Sequence, residues 1–207
     1  MNLVVISSPK EIENETEKII GLFESGLDVL HIRKPDWVFE KFEGLLKSIP
    51  PNYYKRIVVH SHYKVIEKYN LRGIHLTGKY LSVIEKEVLK ELFRTAMKRN
   101  LTLSTSMHSI KEIQENKLKY NYIFLSPLFD SISKEGYTAT MNKEEIKNFL
   151  ANYNSFPKIL ALGGIDKSKV EEVKGLGFSG IAVLGALWNH EGKTVEQFRE
   201  LREKVLL

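Results

Sequence analysis

The chain has no cysteine among its 207 residues, which excludes a disulfide scaffold and a cysteine-ligated zinc site. No apolar run approaches the ~20 residues that a membrane span requires. Met1 to Ile6 is apolar but lacks a basic leader and runs into Ser7-Ser8-Pro9, so the expected location is cytoplasmic. No Gly-x-Gly-x-x-Gly follows that first run; Ser7-Ser8-Pro9-Lys10 stands there instead, which argues against a dinucleotide site. A P-loop and a Ser-His-Asp elbow are also missing. Charge of one sign is not concentrated either. Lys plus Arg number 31 against 26 Asp plus Glu, a net +5, and the lysines are scattered among glutamates as in Glu85-Lys86-Glu87 and Lys111-Glu112. That pattern is a solvated mixed surface, and no nucleic-acid partner is expected.

What the sequence does have is alternation. Short β-branched apolar runs alternate with longer stretches of helical period, the pattern of βα units around a parallel sheet. Eight strands are expected, at Leu3–Ile6, Val29–Ile32, Ile57–His60, Gly73–Leu76, Leu101–Thr105, Tyr122–Leu125, Ile159–Leu162 and Gly180–Leu184. Between them, Ile12, Ile19, Ile20 and Phe23 share one helical face and Phe39, Phe42, Leu45 and Leu46 another. Ser25-Gly26, Gly175-Leu176-Gly177 and a Ser109 cap punctuate the units. Strands that read as continuous Val/Ile/Leu runs are buried on both faces, so the expected fold is α/β, a single (β/α)8 TIM barrel domain over residues 1–207. An open doubly wound sheet is the alternative, because strand count alone does not require closure.

In such a barrel the working site lies at the carboxyl ends of the strands. Those ends form a polar, basic ring: His31-Ile32-Arg33-Lys34, His60-Ser61-His62, His75-Leu76-Thr77-Gly78-Lys79, Ser104 to His108, and Ser126 to Gly136 with Ser131, Ser133 and Lys134. Strands seven and eight end in Gly163-Gly164 and Gly185-Ala186. Glycines there leave backbone N–H groups open to phosphate, although a Gly-Gly pair also makes an ordinary tight turn. Arg33 offers a planar fork for phosphate oxygens, with a pair to Asp36 as its plainer reading. Five of the six histidines fall near strand ends. No carboxylate accompanies His60-x-His62, and His75 reads as a core histidine, so no residue is assigned as a metal ligand.

With these residues in this order, the chain resembles the thiamine phosphate synthase family and its relatives the thiazole tautomerases. The carriers are His31-Ile32-Arg33, Gly73-Ile74-His75-Leu76, Ser106-Met107-His108-Ser109, Ser126-Pro127-Leu128-Phe129 through Lys134, Leu160-Ala161-Leu162-Gly163-Gly164-Ile165 and Gly180-Ile181-Ala182-Val183. The resemblance implies a phosphate-binding barrel, commonly a homo-oligomer, whose partners are thiazole phosphate and pyrimidine diphosphate. It implies loss of diphosphate from the pyrimidine and capture of the resulting carbocation by the thiazole nitrogen. Arg33, Lys134 and Ser106 resemble the diphosphate contacts, while Ser131, Ser133, Gly164 and the Leu184-Gly185 backbone resemble the thiazole phosphate contacts. Lys34, His60, His108 and Gly163 join the substrate-binding set, and His31 joins Arg33 and Lys134 as a catalytic candidate.

The chain departs from these patterns in three respects. Synthases hold magnesium with one Asp after strand three and another after strand four, where this chain has His60-Ser61 and Lys79-Tyr80. Magnesium is therefore possible but lacks its usual carboxylates. The family's second basic residue falls at Pro35, with Lys34 one place early. The tautomerases share His31 and the Ser106 to Ser109 pattern and need no magnesium, but the histidine they use for proton transfer falls at Pro127. A synthase-like transferase is the leading expectation; a tautomerase-like isomerase or a silent phosphate-ligand binder stands behind it.

Overall fold

A computed structural model describes residues 1–130, 141–189 and 192–207. Its strands are β1 (Asn2–Ile6), β2 (Val29–Ile32), β3 (Ile57–Val59), β4 (Gly73–Leu76), β5 (Thr102–Met107), β6 (Tyr122–Leu125), β7 (Lys158–Leu162) and β8 (Gly180–Val183). All neighbours are parallel, and β8 returns to β1 with Leu3 opposite Ile181 and Val5 opposite Val183. The sheet is thus a closed barrel in sequence order, and the open-sheet alternative is set aside. No helix of the described residues is long and apolar enough to cross a membrane.

Strand ends moved by one or two residues. β5 starts after Leu101 and runs on through Ser106 and Met107, because Met107 still finds Leu125 across the ladder. His60 lies just past β3, its N–H donating to the Ile32 carbonyl at 3.1 Å. Asn2 and Lys158 extend β1 and β7 at their starts by pairing with Gly180 and Tyr122. Leu184 leaves β8 and enters the short helix Gly185–Trp188. The expected cap holds, with Ser109 Oγ accepting the Glu112 N–H at 3.2 Å.

Side chains alternate along each strand, so each strand feeds two cores. Outward residues such as Val5, Leu30, Ile32, Ile74, Ile123 and Val183 meet helix faces including Ile19, Leu22 and Phe23 from Glu15–Glu24 and Phe42, Leu45 and Leu46 from Phe39–Ser48. The inner cluster is smaller: Val4, Ile6, Val29, Val58, Tyr122, Phe124, Leu160 and Ala182. Its polar members sit on one arc. His31, His75 and Ser104, all buried, come from β2, β4 and β5, and buried His60 follows β3. Trp188 Nε1 donates to the Ile6 carbonyl at 2.7 Å and so ties the segment after β8 to the end of β1.

Candidate active site at the carboxyl ends of the strands

A cavity of about 320 Å³ opens at the carboxyl ends of the strands. One side is built by Arg33, His60, His75, Ser106 and His108, and the other by Pro127, Gly163, Gly164, Leu184 and Gly185. The glycines are there for a steric reason. Gly163 and Gly164 have φ of 102° and 64°, and a Cβ on Gly164 would sit 2.2 Å from the Asp130 carbonyl oxygen. Only glycine lets the β7 end lie this close to the segment after β6. Hydrogen bonds hold the two together, from Leu128 N–H to Leu162 O at 3.0 Å and from Phe129 N–H to Gly163 O at 3.1 Å.

Arg33 is the cation on the cavity wall among the described residues. Its backbone N–H donates to Ser7 Oγ at 2.9 Å, which fixes where β2 ends. Burial pulls its pKa down, and Asp36 offsets this through space without forming an ion pair. The guanidinium is therefore partly desolvated and available to an anion, the state in which its charge acts most strongly.

Below it lies a histidine layer. His31 Nδ1 faces His60 Nε2 at 2.8 Å, and His31 Nε2 meets Tyr122 Oη at 2.5 Å. His75 Nδ1 meets Ser104 Oγ at 3.0 Å and its Nε2 meets Ser106 Oγ at 3.2 Å. Burial holds all three imidazoles far below the ordinary histidine range, to about 3 for His75. A proton on one ring would repel a second on its neighbours, and the Arg33 charge presses His60 and His75 down further. At neutral pH they are uncharged. On the exposed rim, His108 Nδ1 donates to the Ser126 carbonyl at 2.8 Å.

The residues singled out in the sequence divide into three groups. Arg33, His60, Ser106, His108, Gly163, Gly164, Leu184 and Gly185 line one cavity. Ser131, Ser133 and Lys134 lie outside the described residues. Lys34 and His31 need correction. Lys34 is in a loop as required, but its side chain turns away from the cavity and is fully buried, with Nζ 2.7 Å from Glu15 Oε2 and 2.8 Å from the Lys10 carbonyl. It is a structural cation rather than a substrate contact. His31 is also fully buried and does not reach the cavity wall; His60 and His75 stand between it and the opening. The expectation of no metal-ligating set also changes, because one ring nitrogen from each of His31, His60 and His75 lies within 4.8 Å of the others.

His75, expected to be a core histidine, lines the cavity, and Tyr122 joins the buried layer without having been a candidate from its sequence position. A signal was present: Tyr122 and Phe124, like His31 and His75, alternate onto the inner face, where branched apolar residues are usual.

The buried pair supports a stability prediction. Burial raises the Glu15 pKa and lowers that of Lys34, so each charge depends on the other. Glu15→Ala is expected to lower the unfolding free energy by about 3 kcal/mol, while the double change Glu15→Leu with Lys34→Met stays near neutral. Urea unfolding of both variants checks this; equal losses would mean that packing, not the stranded charge, decides.

Comparison with known proteins agrees with this geometry. A crystal structure of a thiamine phosphate pyrophosphorylase from Bacteroides thetaiotaomicron matches with a TM-score of 0.82 at 33% identity, covering 100% of this chain and 98% of that one. A thiamine-phosphate synthase from Staphylococcus saprophyticus subsp. saprophyticus is 25% identical over 210 residues, 96% of this chain and 95% of its own. One from Pyrococcus furiosus is 24% identical over 212 residues, 100% and 97% of the two chains. The family model described as thiamine monophosphate synthase matches residues 3–187, and the chain belongs to that family of thiamine-biosynthetic transferases.

Proposed function

We propose that this protein joins a pyrimidine diphosphate to a thiazole phosphate with release of diphosphate. In that reaction the bond from the pyrimidine methylene carbon to the diphosphate oxygen breaks and its electron pair leaves with the oxygen. The thiazole nitrogen then gives its lone pair to the carbon, and no other group is consumed. The observation that carries the reading is the two-sided cavity, with a partly desolvated guanidinium facing a glycine-rich wall. Arg33 meets the charge that grows on the departing diphosphate, a role that low-dielectric surroundings strengthen. The backbone at Gly163-Gly164 and Leu184-Gly185 supplies a close-approach surface suited to the phosphate of the thiazole.

The family's magnesium does not fit the described residues. Among the described residues no carboxylate lines the cavity, and the two relevant positions hold other chemistry. Ser61 Oγ is buried without a partner, Lys79 is exposed, and Tyr80 packs edge-on against Tyr63 at 4.6 Å. A hard cation that prefers carboxylate oxygen has no such ligand here. The tautomerase reading stands second, since Pro127, not a titratable group, is in the wall where that branch needs its histidine.

The test is a fluorescence assay for thiamine phosphate after oxidation, with purified protein and both substrates. Product is expected, and with it insensitivity of the rate to added magnesium. Absence of product while thiazole phosphate still binds would overturn the reading in favour of a silent binder.

A further inference from the structure

Three consecutive strands each bring an imidazole to one point beneath the cavity, where neither substrate contact proposed above uses them. His31 and His75 are inward positions of β2 and β4, and His60 directly follows β3. Their facing nitrogens lie within 4.8 Å of one another. Two of the three rings have an outer nitrogen held: His31 Nε2 meets Tyr122 Oη and His75 Nδ1 meets Ser104 Oγ, while His75 Nε2 meets Ser106 Oγ at 3.2 Å, a contact it exchanges for the ion. Metal-bound histidines are oriented in this way, with the outer N–H donated to an oxygen.

We propose that His31, His60 and His75 bind one divalent cation of the zinc class at the cavity floor, with its open position facing the cavity. The ligand chemistry selects the ion. Three imidazoles with no thiolate or carboxylate suit zinc, cobalt or nickel and reject magnesium and calcium. Burial keeps the rings neutral, so protons do not compete for the lone pairs at neutral pH. Three protein nitrogens leave the fourth tetrahedral position for water or a ligand oxygen, as in sites that do chemistry. His60 and His75 themselves form cavity wall, so that position opens toward the proposed diphosphate subsite.

Binding requires a small contraction. Ligand nitrogens around a tetrahedral zinc lie about 3.3 Å apart, so the cluster closes from its 4.8 Å spread. The 2.8 Å hydrogen bond between His31 and His60 gives way to the ion. The stacked rings of His60 and His75, with centroids 4.1 Å apart and planes at 18°, splay. The proposal stands on the cluster and not on the reaction, but it deepens the reading above. An ion here supplies, through nitrogen ligands, positive charge that absent carboxylates cannot recruit as magnesium.

Purified full-length protein, stripped with a chelator, is titrated with Co²⁺ and followed by visible absorption and metal analysis. One ion per chain with tetrahedral d–d bands is expected, displaced by Zn²⁺ and not by Mg²⁺. Zn²⁺ at about a hundredfold excess over its dissociation constant is expected to raise the thermal midpoint by about 5 to 10 °C. His60→Gln and His75→Gln each weaken binding at least tenfold, and Tyr122→Phe about tenfold by releasing the outer nitrogen of His31; His108→Ala leaves it unchanged. Folded wild-type protein that takes up no Co²⁺, or a His60→Gln/His75→Gln double variant that binds as tightly as wild type, overturns the site. Failed turnover in protein that still binds Co²⁺ overturns only the synthase reading.

Discussion

Lowering the pH of the metal-free protein from about 6.5 to 5 is expected to remove about 5 kcal/mol of folding stability through three side chains. His31, His60 and His75 are buried and held neutral in the folded state, with pKa values far below 6.5. Unfolding returns each to an ordinary histidine value. Over this window the unfolded chain therefore binds protons that the folded chain refuses, so stability is full above the unfolded pKa and falls as pH falls. Each group contributes up to about 1.4 kcal/mol per pH unit. Against a typical stability of roughly 5–15 kcal/mol, the loss brings the protein near acid unfolding. Of the paired carboxylates, Glu43, held to about 2 first of all by its hydrogen bond to Lys47, titrates below the window, whereas Glu15, whose pKa burial raises, acts with the opposite sign, so the histidine contribution is read as the difference between wild type and His75→Phe. Urea unfolding in the presence of a chelator measures the effect. His75→Phe, which keeps a ring between His60 and Phe124, is expected to remove about a third of it. Uptake of less than one proton on unfolding at pH 5.5 would show that the layer is solvated and charged.

Replacing Arg33 by alanine is expected to lower kcat/KM of the joining reaction by about 10²- to 10³-fold while the thermal midpoint stays within a few degrees of wild type. Among the described residues the side chain makes no ion pair, and it lines a cavity, so its loss strands no buried partner there. The tether that sets the end of β2 is the backbone N–H to Ser7 Oγ, which the substitution keeps. Arg33→Lys is expected to recover only part of the rate, because a lysine cannot present two parallel donors to diphosphate oxygens. A drop confined to KM would assign Arg33 to ground-state binding, and no change in either constant would remove it from the site.

The fold was legible because every level of the sequence agreed. Runs such as Val29–Ile32 and Tyr122–Leu125 end where turn chemistry ends them, and the structure keeps both unchanged. The boundaries that shifted depended on a neighbour. β5 is extended by Met107 meeting Leu125, a contact remote in sequence. Half of the site was legible for the same reason, since Arg33, Ser106 and Gly163-Gly164 follow directly from being at strand ends. Lys34 was not. Its neighbour in sequence is Arg33, but its partner is Glu15 on another element, and only the packed chain shows that a 2.7 Å ion pair has claimed it.

By itself, the sequence determined a cysteine-free βα repeat, the strand ends that line the cavity and the family those ends resemble, because these are local patterns of hydrophobicity and turn residues. The tertiary structure decided what depends on direction and closure. It closed the sheet through β8 and β1 and turned Lys34 outward while Arg33 faced the cavity. It also gathered His31, His60 and His75 into one layer. Period-two alternation places a strand residue on one face or the other, but which strands meet across the interior is set by the stagger of a closed barrel. No stretch of a single strand records that distance.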